Sequence, residues 1–223
     1  KLNPNELLQK EYEYISQTAF QANEDRSRVT SFYFVSVGSF VAAIVGTQLE
    51  AQSKTISFAF FALFLVLTFM GGLTIAQLAR LRAAWHESVE AMNTIKDFYI
   101  KYHPEIEKAF KWRTKQVPLV NKPYSIANLM AVEVALLGSL TTGACAYFLL
   151  SYLGEVNWVG YLIVLASIIL GYIAQWTWYL RLLVDDVHRV EGDLHAGHAH
   201  HDDATVLADR LEGPRRRGAV AGV

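Results

Sequence analysis

Glu133 is the only acid inside an apolar run of this chain. A carboxylate in hydrocarbon is costly, so such residues mark ion paths, proton relays or buried contacts. Thr141 and Thr142 lie farther along the same run, and Gln175 lies in the next one. Their hydroxyl and amide groups could line a polar path with the acid. The competing reading puts Glu133 at the headgroups, because its run is longer than a bilayer needs. For Thr141, Thr142 and Gln175 it is a bond across helices or back to their own backbone.

A second constellation stands near the end of the chain. His195, His198, His200 and His201 are followed by Asp202 and Asp203. Imidazole with carboxylate suits zinc, nickel or copper. The spacing matches no closed structural site, and the surrounding glycine and alanine would not preorganise one. Weak or absent metal binding is therefore the expectation. Asp185, Asp186 and His188 stand just past the last apolar run and read as capping or ion-paired groups. The triple arginine 215–217 reads as part of a solvated tail. No phosphate-binding loop, zinc-protease motif, dinucleotide turn or nucleophile elbow occurs. The expectation is a protein that is not an enzyme, needs no cofactor and binds no nucleic acid.

The elements that must position these residues follow from composition. The chain has 223 residues, 52% of them hydrophobic, and a net charge of -1. The apolar residues form four long runs, unlike the short periodic runs of a water-soluble domain. Each run is long enough for a bilayer core of about 30 Å, which takes roughly 20 residues. The fold class read from this is an all-α integral membrane protein with four transmembrane helices in two hairpins and cytoplasmic helical extensions. The single cysteine, Cys145, falls inside a run, which excludes an intrachain disulfide and suits a small apolar role. The chain begins at Lys1, so native sequence can precede it. The first run lies behind a polar helix, unlike a secretory signal.

Residues 56–102 organise the rest. No charge appears from Ile56 until Arg80, and no proline until Pro104. Beyond the apolar part, Leu78, Trp85, Met92 and Tyr99 recur every seven residues, and so do Leu81, Ser88, Ile95 and Tyr102. That is a heptad-like seam with a weak position at Ser88. One helix is expected to leave the membrane and continue. Asn3-Pro4-Asn5-Glu6 reads as a helix start. Leu8, Tyr12, Ile15, Ala19 and Ala22 then make a narrow apolar stripe. Its polar face is acidic, with Glu6, Glu11, Glu13 and Glu24, which speaks for packing on the seam rather than lying on lipid.

The expected organisation is a cytoplasmic amphipathic helix (1–28), a first transmembrane hairpin (29–80), a cytoplasmic helical segment (81–124), a second hairpin (125–181), and a helix end with a disordered tail (182–223). Within 81–124, residues 105–113 read as a short helix. Two stripes of small residues suit close helix approach in lipid. One is Gly38, Ala42 and Gly46. The other is Ala131, Ala135, Ser139 and Gly143, which nominates span three for the bundle centre. Gly171 adds a third small position, and Gly71-Gly72 a packing notch or weak point. Basic residues crowd one side, Lys54 alone standing on the other, so both termini read as cytoplasmic in an inner membrane.

Residues 10–28 ahead of the first run, and Arg80-Leu81-Arg82 with Ala91-Met92-Asn93-Thr94-Ile95-Lys96 after the second, carry a resemblance. The arrangement resembles small uncharacterised bacterial four-span membrane proteins. Its first half is also similar in layout to the SLATT type of membrane effector, which implies pore formation. The second hairpin departs from that type, which usually has two spans. Three functions are compatible with these readings: a self-associating bundle forming a pore or transport path, an accessory or scaffold subunit of a larger membrane complex, and a metal-handling transporter using the histidine tail. The expected partners are the lipid bilayer and either further copies or a larger complex.

Overall fold

The computed structural model describes residues 3–46, 53–110, 113 and 122–211, with backbone alone from 185 onward. Four helices account for most of them: α1 Pro4–Gly46, α2 Lys54–Tyr102, α3 Ile126–Leu153 and α4 Trp158–Leu211. All four are long and apolar enough to cross a membrane. Their packing agrees with that setting. Phe32, Val35, Leu65, Phe69, Leu162 and Leu170 all point outward and are at least half exposed. Such a surface is unfavourable in water and natural against lipid.

Local chemistry sets the helix ends. The Asn3 side chain accepts from the Asn5 N–H at 3.2 Å, capping α1 ahead of Pro4. Helix α1 then runs unbroken through the charged segment into the apolar one. Helix α2 has 49 residues, so it is about 74 Å long at about 1.5 Å per residue. That is more than twice a hydrocarbon core. It stops where Pro104 cannot continue it, the His103 N–H closing on the Tyr99 carbonyl at 2.8 Å. Ser125 caps α3 by accepting from the Asn128 N–H at 3.3 Å. Gly154, in the left-handed region at φ 82°, ends it. That conformation suits glycine.

Two stretches differ from the sequence reading. The short helix expected over residues 105–113 is a six-residue 3-10 helix, Pro104–Ala109. None of its residues is buried, so no packed apolar face extends it into an α-helix. Arg113 beyond it pairs with Glu107 and, at 3.5 Å, with Asp97 of α2. The α4 backbone stays helical to Leu211, within the segment 182–223 that the sequence reading takes as a helix end and disordered tail. No proline stands between Trp158 and Pro214.

Helices α2 and α3 form the central pair. Their contacts run in opposite order along the two chains. Ser57 meets Ser151 at 3.1 Å and Thr68 meets Thr141 at 3.2 Å. Phe60 and Phe64 both pack on Phe148, with ring centres 5.0 and 5.6 Å apart. Helix α2 touches every other helix, whereas the backbones of α1 and α4 stay apart. The core joins Tyr33 and Val37 of α1, Leu67 and Ile75 of α2, Val134 and Ala135 of α3, and Tyr179 of α4. The end of the bundle holding the start of α1 and the end of α2 is called the base below.

At the base, α1 continues along α2. Ala19 and Ala22 are buried there, and Lys96 stands over the Tyr12 ring at 6.0 Å. The heptad seam is only partly closed. Beyond Arg82 the buried residues of α2 are Ala83, Ser88, Asn93 and Ile100, while Tyr102 is 63% exposed. A groove of about 900 Å³ opens between Leu8 and Tyr12 on one side and Ile95 and Tyr99 on the other. Tyrosines facing each other keep the helices farther apart than alanines do.

Candidate functional site

A polar layer crosses the bundle where two glycines meet. A β-carbon at Gly71 of α2 would stand 2.6 Å from the Tyr33 hydroxyl and 3.5 Å from the Gly138 α-carbon of α3. On α3, Gly138 receives the side-chain amide of Gln175 from α4. Thr68 donates to Thr141 across α2 and α3, and Thr141 and Thr142 both donate to the Gly138 carbonyl at 2.8 Å. The Tyr33 hydroxyl faces Thr141 without forming a bond of good geometry, and the Gln175 amide oxygen is likewise unpartnered. An unsatisfied buried polar group costs about 1–3 kcal/mol, so these two atoms mark a place kept polar against its surroundings. The layer offers neutral oxygens, suited to hydrogen bonding and not to proton transfer near neutral pH.

Glu133 is not part of this layer. It is exposed on the outer face of α3, as are Leu136 and Leu140. The α-helical period separates it from Ala131, Val134, Ala135 and Gly138, which turn inward. Thus Thr141, Thr142 and Gln175 come together and the acid does not join them. Tyr33 and Gly71 complete the layer. Tyr33 lies in an apolar run with other aromatics, and the Gly71-Gly72 pair was its only signal in the sequence.

The small-residue stripes separate into two kinds. Ala131, Ala135 and Ser139 are at most 2% exposed, and a side chain at Gly143 would collide with Ile168 of α4. Gly171 takes Thr142 against its backbone, with the hydroxyl 3.1 Å from a β-carbon there. These positions bring the helices of one chain together. Gly38, Ala42 and Gly46 are exposed, and a β-carbon at Gly38 or Gly46 would meet nothing within 4 Å.

Below the polar layer, toward the base, a cationic cluster is buried. Arg26 of α1 and Arg82 of α2 keep 7% and 6% of their surface, and Tyr179 of α4 lies beside both. Both arginines stand outside the uncharged runs, Arg26 before the first and Arg82 after the second. Burial makes the charged form of Arg26 harder to hold, and the like charge of Arg82 adds to that, so its pKa falls from the ordinary arginine value. Burial lowers that of Arg82 as well, and Tyr179 opposes the shift in both. Arg82 also lies over the Trp85 ring at 4.7 Å. The sequence reading counted both arginines only among the basic residues crowding one side, and Arg82 as part of the resemblance.

The side chains of His195, His198, His200 and His201 lie outside the described ones, and so do those of Asp185, Asp186 and His188. Among the described residues no group of His, Cys, Asp and Glu could hold a metal ion. No protein-family model, curated protein or solved structure matches the chain.

Proposed function

We propose that this protein is a non-enzymatic four-span bundle, built as two transmembrane hairpins, that works by associating with further copies of itself. The uncovered face of Gly38, Ala42 and Gly46 on α1 carries the reading. Lipid gives apolar helices no hydrophobic drive to pair, so small residues at this spacing are useful where a second backbone approaches. The other small stripes are spent on contacts within the chain; among the described residues nothing lies within 4 Å of a β-carbon at Gly38 or Gly46. A pore or transport path belongs between copies, because Leu67, Ile75 and Val134 fill the centre of a single chain. In this reading both termini and residues 81–124 are cytoplasmic, on the side where basic residues crowd.

The test is oligomeric state in lipid, by native mass spectrometry and single-molecule photobleaching. Gly38→Leu with Gly46→Leu should give monomers of unchanged melting temperature. An intact oligomer would sink the proposal. A second reading, an accessory subunit, draws on the open groove between Tyr12 and Tyr99. Co-purification at fixed stoichiometry with a larger membrane protein would favour it.

A further inference from the structure

Glu133 interrupts an otherwise apolar outer face. Its neighbours on that side of α3 are Leu129, Leu136 and Leu140, which are 46%, 50% and 56% exposed. The outer face of α2 is interrupted in the same way. Gln77 is exposed there between Leu73 and Arg80. None of Gln77, Arg80 and Glu133 has a polar side-chain partner among the described residues. Packing sends the two faces to different sides of the bundle. Gln77 follows Thr68 by nine residues, about two and a half helical turns, so it lies opposite the side of α2 that meets α3. Glu133 precedes Thr142 by nine residues, so it lies opposite the side of α3 that takes Gly171 of α4. Their side chains cannot meet within one chain.

Their depth is nevertheless the same. The Thr68–Thr141 bond fixes the register of the antiparallel pair. Gln77 lies nine residues toward the base from Thr68, and Glu133 eight residues toward the base from Thr141. At about 1.5 Å per residue, the two levels differ by about 1.5 Å. Both stand farther from the base than Arg80, the first charge of α2 after its uncharged run. A carboxylate at that level, facing outward, needs donors. Gln77 presents a neutral donor at its own depth, and Arg80 a charged one less than a turn nearer the base. Copies related by an axis along the membrane normal keep every residue at its own depth. Only groups of equal depth meet across their contact, and these do.

We propose that the outer face of α2 in one copy docks on the outer face of α3 in a second copy, with Gln77 and Arg80 donating to the Glu133 carboxylate. The inference rests on the self-association proposed above. The two faces differ, so the contact is head-to-tail and repeats from copy to copy until a ring closes. A single polar contact between helices in lipid is weak; this one sets which faces meet, while the α1 stripe holds the copies together. The two contacts do not compete for space. Gly38 lies beyond the Tyr33–Gly71 layer as seen from the base, and Gln77 lies before it.

The experiment is oxidative cross-linking of the full chain in membranes, in a Cys145→Ala background. Chains with Gln77→Cys and chains with Glu133→Cys are co-expressed under different tags and treated with copper phenanthroline. A disulfide requires α-carbons within about 7 Å, so unlike chains should be joined. Neither variant expressed alone should cross-link, and a chain carrying both cysteines should give a ladder beyond the dimer. Glu133→Leu and Arg80→Gln should each raise the dissociation constant of the oligomer several-fold, and together little more than either alone, because they remove the same contact. Glu133→Gln keeps an amide oxygen that both donors reach, so its effect is smaller. A parent chain that is monomeric in native mass spectrometry overturns the self-association and this contact with it. An oligomer that gives no mixed cross-link, or in which either single cysteine joins to its like, overturns this contact and leaves the self-association standing.

Discussion

The phenol of Tyr33 lies against Gly71, its oxygen 2.6 Å from the place a β-carbon would occupy. This contact seats α1 on the central pair, because the same glycine approaches the Gly138 backbone of α3. A side chain at Gly71 would push the phenol away or part α2 from α3. Gly71→Ala should therefore cost about 1–3 kcal/mol by overpacking. Tyr33→Phe removes an unpartnered buried oxygen and should be neutral or mildly stabilising. In the double variant the missing oxygen makes room, so part of the loss should return. Unfolding of the four proteins in one detergent measures this cycle. Additive effects would show that the two residues do not touch.

Ser139→Leu with Gly143→Leu keeps α3 apolar and insertable but overfills its inner face. Gly143 has no room beside Ile168, and Ser139 is 2% exposed. A loss of stability of at least 1–3 kcal/mol per site is expected, about the range for overpacking. Membrane fractionation should show insertion retained, while limited proteolysis shows a looser bundle. A double variant that melts like the parent protein would place this face toward lipid.

Glu133→Gln should change stability by no more than about 0.5 kcal/mol, the usual limit for a surface substitution. The residue is exposed on the outer face of α3, so assembly should also survive. Thermal melting and native mass spectrometry check both. A broken oligomer would mean that the contact between copies needs the carboxylate itself.

Topology is open to cysteine labelling in a Cys145→Ala background. Cys145 is half-buried, its sulfur 3.8 Å from the Phe61 carbonyl, and alanine should be tolerated there. A cysteine at Lys54 should react with an impermeant reagent added outside cells. One at Lys101 should react only after permeabilisation. External labelling at position 101 would reverse the proposed orientation.

What the sequence determined by itself is local. Asn3 before Pro4, the stop at Pro104, the Ser125 cap and the turn at Gly154 act through bonds to residues two to five positions away. They are legible without the fold, as are the four apolar runs, with Glu133 the one acid among them. The tail histidines stay legible only as composition.

The tertiary structure decided which faces turn inward. Gly38-Ala42-Gly46 and Ala131-Ala135-Ser139 share one spacing and similar chemistry, yet the first is exposed and the second closes the core. A stripe of small residues states that a helix can be approached closely, not which helix approaches it. Glu133 shows the same limit in part: the helical period alone set it off the stripe of Ala131, Ala135 and Ser139, but that this stripe turns inward depended on where α2 and α4 pack. Arg26 and Arg82 lie on different helices far apart in sequence, and each alone reads as a flanking basic residue. Only the antiparallel register of α1 and α2, with α4 beside them, brings both arginines to Tyr179. Long-range register is a property of packing between helices, and no single segment encodes it.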